Sequence, residues 1–143
     1  MLKYIISIFL YICLTSFAIA DKSSGKSCTV TKVIDGDTVH AMCGKKDVKV
    51  RMTLIDSYES KKNNRAYKQA YEQKLTIDEV VDKGKKATNI TKRVLTGKRI
   101  KIVPPTKGDK IDLYGRDLGE IYLDGENVNK KLLTEHPDVF MKY

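Results

Sequence analysis

Histidine is scarce in this chain, since its 143 residues include only His40 and His136. Two histidines so far apart in the sequence do not make the multi-ligand zinc site that this residue usually builds. No internal repeat is visible, and the chain has three cysteines. Charged residues, in contrast, are plentiful and make up 31% of the sequence.

The first twenty residues are predicted to be a cleaved secretory signal peptide. Lys3 gives a short positive start, residues 4–17 form a nearly unbroken apolar run, and residues 18–20 (Ala-Ile-Ala) match a signal-peptidase site. The apolar run is shorter than the about 20 residues that a spanning helix needs, which disfavours a membrane anchor. Cys13 follows Ile12 rather than a small residue, so a lipoprotein signal is not expected. We therefore expect a secreted or periplasmic protein that does not associate with membranes after cleavage.

The remaining residues are enough for one modest domain. Residues 21–27 are mostly Lys, Ser and Gly and are expected to form a disordered tail, with a single domain over residues 28–143. The whole chain carries a net charge of +9. On a small exported protein, such a charge favours a polyanionic partner, either nucleic acid or an anionic envelope surface. Charge alone is also consistent with a merely soluble basic surface.

Two cysteines outside the predicted signal peptide are placed symmetrically about a turn signal. Cys28 and Cys43 are equidistant from Asp35-Gly36, which is typical of a two-residue hairpin turn. In that register the two cysteines face each other across neighbouring strands, with Cα atoms about 5.5 Å apart. A disulfide is therefore predicted in an oxidising compartment, provided that no one-residue bulge shifts the register.

Hydrophobic patterns and turn signals predict a small α+β fold. The predicted strands are Thr29–Ile34, Thr38–Cys43, Val48–Ile55, Arg99–Val103 and Leu118–Leu123. The main helix follows the third strand, starts with a capping box of Thr76 and Glu79, and is stopped by Gly97. Gly84 is the residue least favourable to this helix, and it marks either a break in the helix or the start of the part that packs. Shorter helices are predicted over Arg65–Gln73 and Asn127–Glu135. This order favours a five-stranded OB-type β-barrel with one main helix and a short C-terminal helix.

Three short motifs carry the chemistry of the sequence. They are Ile34 to Thr38 (Ile-Asp-Gly-Asp-Thr), Arg51 to Glu59, and Tyr114 to Arg116. Together they supply carboxylates that can hold a hard cation and two guanidinium groups that can bind a phosphate. Cleavage of a phosphodiester is the foremost function that needs both kinds of group.

In order and spacing these motifs resemble the staphylococcal (micrococcal) nuclease family, from about Thr29 to about Leu133. The Asp-Gly-Asp-Thr motif alone would be weak, whereas all three motifs behind a signal peptide are specific. The resemblance implies a monomeric endonuclease that hydrolyses DNA and RNA, preferably single-stranded or frayed, with little sequence preference. It also implies cleavage of the bond to the 5′ oxygen, which leaves 3′-phosphate ends.

The resemblance further implies a calcium site and assigns its ligands. Asp37, Asp56 and the backbone carbonyl of Ser57 are expected to bind Ca²⁺, which suits oxygen ligands in flexible geometry. Asp35 is expected to serve the turn instead. Without the other motifs, a turn-capping role would be the less favoured alternative for Asp37.

The resemblance assigns the remaining catalytic roles to three charged side chains and a tyrosine. Glu59 is expected to act as the general base on the attacking water. Arg51 and Arg116 are expected to stabilise charge on the nonbridging oxygens in the transition state. Tyr114 is expected to stack on a base or to hydrogen-bond a terminal phosphate. Since Arg51 and Asp56 are five residues apart, a straight strand would point them to opposite faces, and we predict a bend or bulge between them.

The chain also departs from the family pattern at several places. Tyr58 stands where the family commonly has proline, which would make the turn before Glu59 less rigid. The segment 60–83 is longer than in the staphylococcal enzyme. Its Tyr67 and Tyr71, with the neighbouring Arg65 and Lys68, could extend a track for single strands, but the interpretation that we favour is that the tyrosines pack against the barrel. Family members usually continue into a further C-terminal helix, which the domain over residues 28–143 lacks.

Two other functions compete with the nuclease. One is a non-catalytic OB-fold module that holds single-stranded nucleic acid without cutting it. Catalytically inactive relatives would typically lose some of the five charged groups, and this chain keeps all of them. The other is a basic envelope protein that binds acidic polymers, which would not need the three acidic residues Asp37, Asp56 and Glu59.

Overall fold

The computed structural model describes residues 24–143. The predicted signal peptide, residues 1–20, lies outside the described residues, as do residues 21–23 of the predicted tail. Within the described part of the chain, no helix is both long and apolar enough to cross a membrane.

The described residues form eight strands and three helices. The strands are β1 (Lys26–Asp35), β2 (Thr38–Cys43), β3 (Lys46–Met52), β4 (Ile55–Ser57), β5 (Arg99–Val103), β6 (Asp117–Leu123), β7 (Glu126–Asn127) and β8 (Phe140–Lys142). The helices are α1 (Asn64–Gln73), α2 (Ile77–Leu95) and α3 (Val128–Glu135).

Five of these strands close into a barrel. Neighbouring strands pair in the order β3, β2, β1, β5, β6, and β6 pairs back with β3 in parallel. Closure leaves no free edge among the five strands, since each pairs with two neighbours. The predicted α+β fold with a five-stranded OB-type barrel is confirmed.

Branched aliphatic side chains that alternate along the strands fill the barrel. Val39, Val50 and Ile121 are completely buried there. Helix α2 covers the barrel and adds Ile90 and Leu95 to the same core. β1 begins at Lys26, inside the segment predicted as a tail, because Lys26–Thr29 pairs with β5.

The β1–β2 hairpin has the predicted pairing of its cysteines, but its turn does not lie at the predicted residues. Its turn is Gly36-Asp37, one residue later than predicted, because Asp35 pairs with Thr38. Two register shifts along β1 offset this displacement, so the register near the cysteines is the predicted one. Cys28 and Cys43 form a disulfide with their Cα atoms 4.2 Å apart. Two bulges therefore preserve a register that a single bulge would have broken.

Helix α2 starts as predicted and continues through its glycine. Thr76 is the N-cap, and Thr76 and Glu79 form the capping box. Gly84 is buried within the helix, where an added Cβ would lie 2.2 Å from the carbonyl oxygen of Glu59. Glycine is present at this position because the chain that leads out of β4 passes directly over the helix backbone.

The segment between β4 and α2 packs through small side chains rather than through its tyrosines. Ala66 and Ala70 on α1 are buried in a second apolar cluster with Tyr58 and Val80. Tyr67 and Tyr71 of α1 are 56% and 88% exposed. The prediction that these two tyrosines pack the segment against the barrel is therefore wrong. Tyr58, which stands where the family that the motifs resemble commonly has proline, contributes to this cluster.

A small second sheet lies beside the barrel. β4 pairs with β8 in antiparallel fashion, with Ser57 opposite Phe140 and Ile55 opposite Lys142. The predicted third strand, Val48–Ile55, is thus divided into β3 and β4, which belong to different sheets. This division places the second motif at the junction between the sheets.

Candidate active site

The bend that we predicted between Arg51 and Asp56 lies at Leu54. Leu54 has a φ of +69°, a conformation that a leucine rarely adopts, and it separates β3 from β4. The buried amide of Asn129 on α3 holds this bend by donating to the carbonyl of Thr53 at 2.7 Å. Because the chain bends there, the side chains of Arg51 and Asp56 meet in a hydrogen bond.

Hydrogen bonds from Arg51 stabilise this bend, and the same side chain contacts Asp37 and Asp56. Its Nη1 donates to the carbonyl oxygens of Met52 and of Ile55, the latter at 2.8 Å. Its Nη2 donates to Asp56 Oδ1 at 2.9 Å and lies 3.4 Å from Asp37 Oδ2. Only 6% of Arg51 is exposed. A permanently charged group so deeply buried and so fully bonded is fixed in position.

Asp37 is buried among hydrogen-bond donors at the end of the β1–β2 turn. Its Oδ2 accepts from the backbone N–H of Ser57 at 2.9 Å and from the Ser57 hydroxyl at 3.2 Å. Thr38 donates to the other oxygen at 2.9 Å. Burial raises the pKa of Asp37 above its usual value, and the charge of Arg51 opposes that increase. The Asp35 carboxylate accepts from the Asp37 N–H at 3.2 Å, which is the turn role expected for Asp35.

Asp56 lies beside Asp37 and has two guanidinium partners. Its Oδ1 accepts from Arg51 at 2.9 Å and from Arg65 of α1 at 2.5 Å. Burial raises the pKa of Asp56, the hydrogen bond from Arg65 opposes this effect, and the neighbouring charge of Asp37 adds to it. Two carboxylates whose negative charges disfavour each other form a site that attracts positive charge.

The donor atoms at this site fit a hard cation. Asp37 and Asp56 offer carboxylate oxygens, and the Ser57 carbonyl accepts one hydrogen bond, from Gln69 Nε2 at 3.1 Å. A carbonyl oxygen has two lone pairs, so it can also face a cation. Among residues 24–143, no group of three or more His, Cys, Asp or Glu side chains is placed to hold a metal ion. The protein would thus give part of an oxygen shell, which calcium completes with water more readily than zinc does.

Glu59 is positioned by the two helices that follow it. Its Oε2 accepts from Asn63 Nδ2 at 2.8 Å, and its Oε1 lies 3.4 Å from Arg65 Nε. Its backbone N–H donates to the side chain of Gln69 at 2.9 Å. The Glu59 carbonyl packs closely against the backbone of α2 at Gly84. The turn that carries Glu59 is therefore tied to both α1 and α2, although it has no proline.

Arg116 lies on the loop before β6 and is held by one carboxylate. Asp112 accepts from the backbone N–H groups of Tyr114 and Arg116, each at 2.9 Å, and from Arg116 Nε at 2.6 Å. Although burial opposes it, these hydrogen bonds hold the pKa of Asp112 below its usual value. The Arg116 guanidinium carbon lies 5.4 Å from the centre of the Tyr114 ring, and Tyr114 itself is 83% exposed.

A cavity of about 580 Å³ brings most of these groups together. The lining residues that bear on the chemistry are Arg51, Asp56, Arg65, Tyr114, Arg116 and Tyr143. The predicted residues Asp37, Ser57 and Glu59 are not among its lining residues, although each is linked to one of them by the contacts above. The cavity is as large as a small-ligand site.

Sequence reasoning missed two of these lining residues. Arg65 was noted only as a neighbour of Tyr67, and its contacts with Asp56 and Glu59 depend on how α1 docks. Tyr143 reaches the cavity because β8 pairs with β4, and its ring centre lies 5.4 Å from the Arg51 guanidinium carbon. No short-range pattern carries either signal, since both arise from contacts between separate elements.

Comparison with known proteins finds relatives of this chain among nucleases. Residues 49–136 match the family model described as staphylococcal nuclease homologue. The chain is 35% identical over 108 residues to endonuclease YncB of Bacillus subtilis (strain 168), covering 75% of this chain and 44% of that protein. It is 34% identical over 111 residues to the thermonuclease of Staphylococcus intermedius, covering 78% of this chain and 57% of that protein.

The chain spans about half the length of the curated relatives that it matches. The family match itself covers more than half of the chain and includes Arg51, Asp56, Glu59 and Arg116. The matched region therefore contains the second and third motifs, most of β3, and all of β5 and β6. On this evidence, the chain belongs to the family of staphylococcal nuclease homologues.

Proposed function

We propose that this protein is an exported, calcium-dependent endonuclease that hydrolyses phosphodiester bonds of DNA and RNA. One observation carries the proposal: a buried arginine, Arg51, bridges the carboxylates of Asp37 and Asp56 at the wall of a cavity that Arg116 also lines. Acidic oxygens for a cation and guanidinium groups for a phosphate thus occur within one site. Nuclease names among the relatives support the same class of reaction.

The two arginines stabilise negative charge that develops on the phosphate. Arg51 is held rigidly by its backbone and carboxylate partners, so it need not reorganise when charge develops. Arg116 contacts Asp112 through Nε, and its terminal nitrogens carry further N–H donors in the planar arrangement that matches phosphate oxygens. Lysine would not supply this geometry at either position.

Asp37, Asp56 and the carbonyl of Ser57 would hold the calcium ion. When bound, a divalent cation polarises a phosphoryl oxygen and neutralises part of its charge. The hydrogen bonds from Ser57 and Thr38 orient the Asp37 carboxylate before any cation arrives. A site oriented in this way needs little rearrangement on binding.

Glu59 takes the proton of the attacking water. A carboxylate with an ordinary pKa of about 4.3 is a weak base, so positioning must contribute much of the effect. Asn63 and Arg65 each contact one of its two oxygens and thereby fix the carboxylate plane. Attack on phosphorus then breaks the bond to the 5′ oxygen, which takes a proton from solvent water, and leaves a 3′-phosphate and a 5′-hydroxyl.

Aromatic side chains at the cavity favour single-stranded or frayed substrate. Tyr114 and Tyr143 line the cavity and are 83% and 81% exposed. Stacking on tyrosine requires an unstacked base and tolerates any base, which gives low sequence specificity. The net charge of +9 adds sequence-independent attraction to the backbone of DNA or RNA.

The proposal includes export and a monomeric state. The signal-like segment at residues 1–20 and the Cys28–Cys43 disulfide both favour an oxidising compartment outside the cytoplasm. Neither the reaction nor the lined cavity needs a second copy of the chain.

The test incubates purified protein with a labelled single-stranded DNA, in calcium or in chelator. Cutting of the DNA is expected in calcium but not in chelator, and it is expected to be lost in Arg51→Ala. Arg93→Ala is the matched control, since it removes an exposed arginine on α2. Binding without cutting in either condition would overturn the nuclease proposal and favour the OB-fold binding module.

A further inference from the structure

Helix α1 directs into the cavity an arginine that the mechanism above uses only to orient Glu59. Arg65 Nη2 lies 2.5 Å from Asp56 Oδ1, and Arg65 Nε lies 3.4 Å from Glu59 Oε1. Arg65 therefore bridges a proposed cation ligand and the proposed base. The same side chain lines the 580 Å³ cavity together with Arg51 and Arg116.

The position of α1 does not depend on these contacts. Asn63 caps the helix by accepting from the Ala66 N–H at 2.8 Å. Gln69, which is 6% exposed, joins the helix to the backbone of Ser57 and of Glu59. The Arg65 side chain itself is 46% exposed. Its guanidinium can thus leave the carboxylates while the helix stays in place.

Charge balance gives Arg65 two alternative partners. Among the described residues, the positive groups that offset the carboxylates of the site are Arg51 and Arg65. A divalent cation held by Asp56 would place two further positive charges beside Arg65 and weaken its attraction to the carboxylates. The other anionic group that enters this cavity is the substrate phosphate, which a guanidinium binds through charge-assisted hydrogen bonds.

We propose that Arg65 is a substrate-binding residue that exchanges partners. In the cation-free site it neutralises Asp56 and Glu59, and with a cation bound it contacts a phosphate of the nucleic acid. This inference rests on the proposed nuclease function. It predicts that Arg65 opposes cation binding and favours substrate binding, two effects of opposite sign.

Two calorimetric titrations test the exchange on wild type and on Arg65→Gln. The first titrates calcium. The second titrates, in saturating calcium, a deoxynucleoside 3′,5′-bisphosphate, which offers two phosphates and no internucleotide bond to cut. We expect Arg65→Gln to bind calcium roughly tenfold more tightly, because one neighbouring positive charge is removed. We expect it to bind the bisphosphate roughly fivefold more weakly, because a charge-assisted hydrogen bond is lost.

Two further variants separate this role from general effects. Arg65→Lys keeps the charge, so its calcium affinity should stay within about threefold of wild type. Lys68→Gln removes an equal charge from the same cavity wall at a residue paired with Glu72 rather than with the site carboxylates. Its calcium affinity should change by less than about twofold, since exposed charges are well screened.

Several outcomes would overturn the exchange. A purely structural role for Arg65 predicts that Arg65→Gln weakens both ligands. That result, unchanged calcium affinity, or unchanged bisphosphate affinity would each contradict the proposal while leaving calcium-dependent cutting by the wild type intact. A wild type that neither cuts DNA nor binds calcium or the bisphosphate would overturn the nuclease function and this inference together.

Discussion

Two arginines of the site, Arg51 and Arg116, are held in place in different ways. Arg51 is 6% exposed and is bonded to backbone carbonyls and to two carboxylates at the junction of β3 and β4. Arg116 lies on a loop and is held by the side chain of Asp112. On that loop, Leu113 is fully exposed and Tyr114 nearly so. One wall of the cavity is thus part of the folded core, and the other is a surface loop.

The two walls of the cavity suit two different requirements of the proposed reaction. Charge stabilisation needs donors whose positions are fixed before the transition state forms. Entry of a long polymer needs a wall that can adapt, and loops with few buried contacts open at low free-energy cost. We expect changes on the barrel side to affect both folding and rate, and changes on the loop side to affect mainly substrate binding and rate.

The largest expected effect comes from removing each arginine in turn. Arg51→Ala should lower kcat/KM by about 10³-fold. It should also lower the free energy of unfolding by about 3 kcal/mol, because the buried Asp37 loses its guanidinium partner and the half-buried Asp56 loses one of its two. Arg116→Ala should lower kcat/KM by about 10²-fold with a stability change of less than about 1 kcal/mol. Urea unfolding and initial rates on the two variants measure the contrast, and equal stability losses would remove it.

Gly84→Ala tests how tightly the barrel side is packed around Glu59. Alanine normally stabilises an exposed helix position by up to about 1 kcal/mol relative to glycine. Here the new Cβ would lie 2.2 Å from the Glu59 carbonyl oxygen, so we expect a loss of about 1–3 kcal/mol and a lower kcat. Asn89→Ala, at an exposed position of α2, is the control and should change stability by less than about 0.5 kcal/mol. Thermal unfolding decides the sign, and a stabilised Gly84→Ala would contradict the close contact.

Asn63 and Thr76 are both helix N-caps, and Asn63 also contacts the proposed base, Glu59. Asn63→Ala and Thr76→Ala each remove a capping side chain and should each cost about 1 kcal/mol of stability. Asn63 also donates to Glu59 Oε2 at 2.8 Å. Only Asn63→Ala should therefore lower kcat, by about tenfold. Equal rates in the two variants would show that Asn63 does not position Glu59.

The smallest expected effect on stability lies on the loop side. The pKa of Asp112 is lowered in the folded protein, so its contribution to stability is present above the unfolded value of about 3.9. That contribution is lost as the pH falls through the folded pKa. Asp112→Asn should therefore unfold with a weaker pH dependence below about pH 4, and should raise KM by about tenfold because Arg116 loses its anchor. An unchanged acid profile would show that these hydrogen bonds do not persist in solution.

Local signals predicted the fold well. The Thr76–Glu79 capping box is complete in the chain itself, and β2 and β5 have the predicted bounds. The cysteine pairing was also predicted, although two register shifts that no sequence pattern revealed were needed to produce it. Elements whose signal lies within a few residues were thus accessible from the sequence.

The site was predictable as a set of residues but not as a set of contacts. Family motifs identified Arg51, Asp56 and Glu59, and the spacing required the bend that Leu54 provides. The contact of Arg65 with the acidic residues depends on how α1 docks, which Gln69 determines from a buried position. The place of Tyr143 depends on β8 pairing with β4. Both placements arise from tertiary contacts, which residue propensities and hydrophobic periodicity do not reveal.

The most direct measurement of the central claim is the chemistry of the product ends. Single-stranded DNA is digested with the purified protein in calcium, and the fragments are tested for extension by a polymerase before and after phosphatase treatment. We expect fragments that are extended only after the phosphatase removes a 3′-phosphate, with no fragments in chelator. Fragments that are extended directly, or cutting that persists in chelator, would contradict it.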